Sequence, residues 1–293
     1  MKKSMIIANP SSGKEEAEKY IELVKAQLTH NGYDSNVRYT EREGDATAFA
    51  ADACIHGYDA IISIGGDGTL NETINGMGGK EHRPALGVVP LGTVNDFARG
   101  LRIPLKPEEA IAVIGQGKLR KVDTGRVNDR YFINIIGLGK IAETTAEVSA
   151  EQKTVLGSLA YFLEGAKTLV NQEPFDITVQ SSGQQWTGPA VLFLAVLTSS
   201  AAGFEQAAPG ARADDGLLHC FVIQDTSLPQ LARIGVNLLR GDFTKDKDVI
   251  YFRTQEAVIS SSKPLAVNID GDAGGQTPLN LKVLKQHIDV FVP

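Results

Sequence analysis

Ala60-Ile61-Ile62-Ser63-Ile64-Gly65-Gly66-Asp67-Gly68-Thr69-Leu70-Asn71-Glu72 is the stretch that decides how this chain folds. Its first five residues are apolar apart from Ser63, so they read as a strand buried on both faces. The strand runs without a linker into glycines and then a helix start. A parallel sheet covered by helices on both sides makes such strands. The glycines let backbone N–H groups close on an anion, and the helix N-terminus adds a favourable dipole. Thr69 caps the helix or hydrogen-bonds a phosphate. Asp67 would repel an anion held there unless a cation lies between them, which points to Mg²⁺. Standing alone, the stretch reads equally as a tight strand-to-helix turn with a solvated aspartate.

Outward from this turn the same grammar repeats. Met5 to Ala8 is a buried-strand run, and Ala17, Tyr20, Ile21, Val24 and Leu28 share one helix face that stops at Gly32. Ser35 to Thr40 is a second strand. Gly44-Asp45 opens a helix that ends near Gly57, Leu86 to Val89 is a further strand, and Pro107 to Gly115 a short helix. These alternations predict a doubly wound, Rossmann-like α/β domain. From about Lys121 the pattern changes to short strands. A turn at Asn128-Asp129 separates two of them, and Phe175, Ile177 and Val179 alternate with Asp176, Thr178 and Gln180. Val191–Leu197, Leu217–Ile223, Ala257–Ser260, Leu265–Ile269, Leu279–Val283 and Ile288–Val292 continue as strands, after a helical segment over 142–170. The second half therefore reads as antiparallel, sandwich- or barrel-like, with the boundary between Arg120 and Arg126.

Composition sets outer limits. The 293 residues favour two domains, and 42% hydrophobic with 22% charged residues are ordinary for a globular protein. A net charge of −6 disfavours a nucleic-acid partner. Cys54 and Cys220 form neither a disulfide framework nor a zinc motif, which fits a reducing cytoplasm, and the histidines lack metal spacing. No apolar run is long enough for a membrane helix. Trp186, Cys220 and Met77 read as packing residues.

Two further strand ends carry chemistry. Pro90-Leu91-Gly92-Thr93-Val94-Asn95-Asp96-Phe97-Ala98-Arg99 repeats the glycine-then-threonine approach, and Asn9-Pro10-Ser11-Ser12-Gly13-Lys14 offers hydroxyls, a glycine and a cation. Strand carboxyl ends line the ligand crevice of an open parallel sheet, so all three loops can converge.

Together, NPSSGK, GGDGTLNE and PLGTVNDFARGL closely resemble the diacylglycerol kinase catalytic-domain family, in particular the bacterial soluble lipid kinases related to sphingosine kinases. GGDGT is shared with NAD kinases, whereas the Asn-Asp-Phe-Ala-Arg extension is a lipid-kinase trait. The resemblance spans nearly the whole chain. It implies an ATP-binding α/β domain over 1–122 and a β-sandwich-like lipid- and metal-binding domain over 123–284, with residues 285–293 returning to the first. Nucleotide contacts would fall on Asn9, Pro10, Ser11, Ser12, Gly13, Thr40, Gly65, Gly66, Asp67, Gly68, Thr69, Leu70, Asn71 and Thr93. Asp67, Asp96 and Asp123 would form an acidic network around Mg²⁺ or its waters, and Lys153 would touch phosphate or that network. Asp215, with the backbone carbonyls of Arg212 and Leu217, would hold a second, structural Mg²⁺; by spacing alone that loop is an Asp-Gly hairpin turn.

The resemblance makes the acidic pair at Asn268-Ile269-Asp270-Gly271-Asp272 the general base. The family usually has Asp-Gly-Glu, and Asp272 is one methylene shorter, so Asp270 and Asp272 share the candidacy. The implied activity is ATP- and Mg²⁺-dependent phosphorylation of a lipid hydroxyl, diacylglycerol first, as a step of phospholipid biosynthesis. The lipid would be met at a membrane by peripheral contact from the cytoplasm. Arg99, Arg102, Lys106, Lys118, Arg120 and Lys121 are basic candidates for that contact, or simply a solvated face. A homodimer is left open. The rival readings are an NAD or other small-molecule kinase built on the same turn, and a nucleotide- or lipid-binding regulator without activity.

Overall fold

The computed structural model describes residues 1–12, 17–139, 173–200 and 208–293. Gly13, Lys153 and the helical segment expected over 142–170 lie outside the described residues. The chain divides into two compact units. One comprises Met1–Thr124, Arg130–Ile133 and Leu284–Pro293, the other Gly125–Asp129 and Asn134–Val283.

The first unit is built on parallel strands. β1 (Lys2–Ala8) lies between β2 (Tyr33–Tyr39) and β3 (Ala60–Gly65), and β4 (Ala85–Pro90) flanks β3. β3 and β4 are buried along their whole length, as strands covered on both faces must be. On one face α1 (Ala17–His30) and α5 (Pro107–Gln116) bring Tyr20, Ile21, Val24, Leu28, Ile111 and Ile114 against Ile6, Ile62, Ile64 and Val89. α2 (Asp45–Ile55) packs on α3 (Asp67–Gly78), where a Cβ on Gly76 would lie 2.2 Å from the Thr47 carbonyl. α4 (Asp96–Gly100) is a short turn of helix after β4. Because β2 and β3 pair on opposite sides of β1, the order reverses there, and the loops leaving β1 and β3 flank the point where open α/β sheets bind ligands.

The second unit is antiparallel. The end of β5 (Leu119–Val127) opens it, and β6 (Arg130–Phe132) belongs to the first unit. β9 (Gln184–Val196) is its spine: the first half pairs with β8 (Phe175–Ser181), the second with both β7 (Ile135–Leu138) and β10 (Leu218–Gln224). β11 (Val249–Thr254) extends from β10, β12 (Glu256–Ser261) from β8, and the β13 (Ala266–Ile269)–β14 (Asp272–Gln276) hairpin from β7. The alternation expected at β8 is present, with Ile177 and Val179 buried and Asp176 and Gln180 exposed. Met77 and Cys220 are fully buried, and Trp186 is half-buried.

Three features depart from the sequence reading. β15 runs unbroken from Leu279 to Phe291 where two strands are expected; its start pairs with β12 and Val290 pairs with Leu86 of β4. Gln286, between the two expected strands, lies within it at φ 51°. β11 was not foreseen. Nor was α6 (Leu228–Arg240), although its start is written in the sequence: Ser227 and Gln230 form a capping box, with proline in the first turn. Buried Leu231 and Ile234 dock α6, and Arg233 donates to Asp246 at 2.8 and 3.0 Å.

Candidate active site

The three glycine- and asparagine-bearing loops of the first unit meet at the carboxyl ends of β1, β3 and β4. The Asn9 N–H donates to the Ile64 carbonyl at 3.0 Å, and the Leu91 N–H to that of Gly65 at 2.8 Å. Asn9 folds its own loop back by accepting from Ser11 N–H at 2.9 Å, while its amide donates to Thr69 Oγ1 at 3.3 Å. Thr40 joins them, its N–H on the Ala8 carbonyl at 2.9 Å.

Gly66 and Gly92 touch backbone to backbone. A Cβ on Gly92 would stand 2.7 Å from Gly66 Cα and 2.7 Å from Asn95 Oδ1; a Cβ on Gly66 would stand 3.2 Å from Gly92 Cα. Gly92 is therefore required by its neighbour before any ligand is considered, and Gly66 is tightly confined. Asn95 locks the contact: its amide exchanges hydrogen bonds with Gly92, at 3.1 and 2.7 Å, and its N–H donates to Asp67 Oδ2 at 2.7 Å. It does so from a left-handed backbone, φ 54°, which asparagine tolerates.

The other oxygen of Asp67 is buried and has no hydrogen-bond partner among the described residues. Asp67, Gly66, Asn95, Leu70 and Ser63 line a cavity of about 10 Å³, room for roughly one water molecule. Burial pushes the Asp67 carboxyl above its ordinary range; the Asn95 N–H opposes this and the nearby Asp96 charge adds to it. An orphaned carboxylate oxygen beside a second acidic group is a donor set that fits a divalent cation. Asp123 is spent separately: 4% exposed, it accepts the Gln286 N–H at 2.7 Å. Among the described residues no three His, Cys, Asp or Glu side chains gather where they could hold a metal, so Asp67, Asp96 and Asp123 do not form one ligand set. Thr93 is exposed in the loop, and Thr69 and Asn71 are buried.

In the second unit, Asp270 and Gly271 are the two central residues of the β13–β14 hairpin, at φ 51° and 102°, with Ile269 opposite Asp272. The Asp-Gly signature was thus a turn here, and the two carboxylates have different surroundings. Asp270 is half-buried and its Oδ1 accepts the N–H groups of Asn134 and Ile135, at 2.9 and 2.8 Å. Asp272 is exposed at the start of β14. Sequence reasoning passed over Asn134, the lone polar residue inside Phe132-Ile133-Asn134-Ile135-Ile136. It is 3% exposed and its side-chain oxygen has no partner among the described residues. Such an orphan costs about 1–3 kcal/mol.

In the loop where the resemblance implies a second cation, Asp215 is held by several partners. Asp215 accepts the N–H of Arg212 at 3.0 Å, the N–H of Leu217 at 2.9 Å and the His219 ring at 3.1 Å, and donates its own N–H to the Arg212 carbonyl. Burial opposes ionisation of Asp215, but His219 and the two N–H donors outweigh it and hold the carboxyl below its usual range.

Comparison with known proteins places this geometry. The diacylglycerol kinase catalytic domain matches residues 3–127, and the YegS C-terminal NAD kinase beta sandwich-like domain matches residues 135–292. The chain belongs to the diacylglycerol kinase catalytic-domain family. It is 40% identical to proteins named diacylglycerol kinase from Staphylococcus aureus strain MRSA252 and Staphylococcus saprophyticus, over 100% of this chain and 93% and 96% of theirs. A crystal structure of a Bacillus anthracis diacylglycerol kinase superposes with TM-score 0.79 at 25% identity, covering 100% of this chain and 97% of that one. A second chain from that organism gives 0.86 at 28%, covering 100% and 95%. The family makes this chain a kinase with a lipid-kinase framework. No described helix is long and apolar enough to cross a membrane.

The facing glycines set an order of tolerance. Gly92→Ala is expected to destabilise the protein by about 1–3 kcal/mol, because backbone meets the new Cβ, while Gly66→Ala costs clearly less. Denaturant titration of both variants checks this, and equal losses would contradict the packing. For Asp67 the sign follows from its raised pKa: the native state holds the proton more tightly than the unfolded chain, so stability is lost as pH rises through the native value. Without divalent cations, Asp67→Asn is expected to raise Tm by roughly 2–4 °C at pH 7, about 1 kcal/mol. The gain should vanish below the ordinary carboxylate range. Calorimetry across pH reads the effect.

Proposed function

We propose that this kinase transfers the γ-phosphoryl group of ATP to the free hydroxyl of diacylglycerol, giving phosphatidic acid in phospholipid biosynthesis. The observation that carries the reading is the full-length match to proteins named diacylglycerol kinase, combined with the glycine loops converging around the orphaned Asp67 oxygen. Phosphoryl transfer asks mainly for positioning and charge neutralisation. The phosphates would lie over the loops at Asn9–Gly13, Gly65–Asn71 and Thr93. An open groove of about 500 Å³ lined by Val37, Tyr39, Glu41 and Phe49 gives the base room beside Thr40. Asp67 and Asp96 would hold Mg²⁺, which neutralises the charge that develops on the phosphates. The mutual repulsion of the two carboxylates supports that assignment.

Asp270 serves as the base. The two N–H groups on its Oδ1 fix the orientation of the carboxylate. It takes the hydroxyl proton of the acceptor; the acceptor oxygen bonds to the γ-phosphorus as the bridging bond to the β-phosphate breaks, and ADP leaves. The lipid would be met at a cytoplasmic membrane surface by peripheral contact. The second-domain match to an NAD kinase-like sandwich makes NAD the control acceptor.

Asparagine tolerates the left-handed turn position and keeps an acceptor oxygen, so Asp270→Asn preserves the hairpin while removing the base. Single-turnover phosphorylation of diacylglycerol in mixed micelles with Mg-ATP is expected to fall by about 10²-fold or more in Asp270→Asn. Asp272→Asn should lose less, and Asp272→Glu should hold or gain. Wild-type transfer to NAD but not to diacylglycerol would overturn the proposal.

A further inference from the structure

Asn134 stands at the meeting of three strand ends in the second unit. Its N–H donates to Asp270 Oδ1 at the β13–β14 turn, and its carbonyl accepts the Leu197 N–H, at 3.1 Å, just past β9. Its backbone is thus fixed from two sides, yet its buried side-chain oxygen bonds nothing among the described residues. Past Leu197, Thr198 and Ser200 are each 2% exposed, and Thr198 Oγ1 donates to the Ser200 carbonyl. Thr198 is therefore already engaged, whereas the Asn134 amide is not. Buried amides are almost always hydrogen-bonded, so a fixed amide oxygen with no partner among the described residues, next to the residue whose carboxylate is read as the base, is a place for a ligand group.

We propose that Asn134 is a specificity-determining residue of the acceptor site, bonding a polar group of the lipid head next to the reacting hydroxyl. The inference rests on the reading of Asp270 as the acceptor's base. Asp270 takes the hydroxyl, so Asn134 is left for the group beside it, which in a glycerolipid is an ester carbonyl. The oxygen and nitrogen ends of an amide are nearly isosteric, and no protein partner fixes which of them faces inward. Turned about its last bond, Asn134 donates N–H to that carbonyl. The ligand class is thus an ester-linked glycerolipid, discriminated from an ether-linked one of the same chain length. A site built to hydrogen-bond a group rejects the analogue that lacks it.

The test compares kcat/KM for 1,2-diacylglycerol and its 1,2-dialkyl ether analogue, both in mixed micelles with Mg-ATP. The wild type is expected to favour the diester by about ten- to hundredfold. Asn134→Ala and Asn134→Ser are expected to bring that ratio close to one, with Tm measured on each. A wild-type ratio near one overturns the inference even where a variant fails to fold. So does a ratio that survives in folded Asn134→Ala, whatever its absolute rate. Phosphorylation of neither lipid by the wild type would instead refute the diacylglycerol kinase reading, and equal phosphorylation of both would leave that reading standing while removing this one.

Discussion

The contact between Gly66 and Gly92 is the constraint on which the candidate site depends. Two loops from neighbouring parallel strands approach until no side chain fits between them, and Asn95 fastens the pair through Gly92 and Asp67. Asp67 has one oxygen used to hold the loops together, leaving the other unsatisfied among the described residues. The carboxylate is costly to bury, and the raised pKa expresses that cost. Structural and chemical roles therefore fall on the same few atoms.

The first unit was largely legible because its signals are local. Apolar runs with glycine at their ends announce β1, β3 and β4, and a single helical face announces α1. The Asp67 loop was legible for the same reason, since strand, glycines and helix start lie within a dozen residues of sequence. What the sequence concealed there is why the glycines are needed. Gly66 and Gly92 answer first to one another, 26 positions apart, and only then to a ligand.

The second unit was harder to read. A strand of four residues such as β7 has too little length to show a period, and β11 carries charged and aromatic residues in no clear alternation. Asp270-Gly271 illustrates how a motif can mask geometry: attention to two acidic side chains hid an ordinary hairpin turn between them. Asp215 is a case where the motif was legible but its partner was not: His219, four residues on, reaches its carboxylate. Asn134 could be suspected as one polar residue in an apolar run, but its significance depends on Asp270, 136 positions later.

The long strand β15 bears on biosynthesis. The first unit's parallel layer includes residues from the far end of the chain: Val290 lies alongside Leu86, and Phe291 packs with Ile62 and Val89. While the polypeptide is still emerging from the ribosome, β4 must wait with one flank unpaired, through the synthesis of about two hundred further residues. An open, apolar strand edge of that kind invites pairing with another nascent chain. The N-terminal half is thus encoded early but can be completed only late, and its sheet keeps an open edge through the interval between.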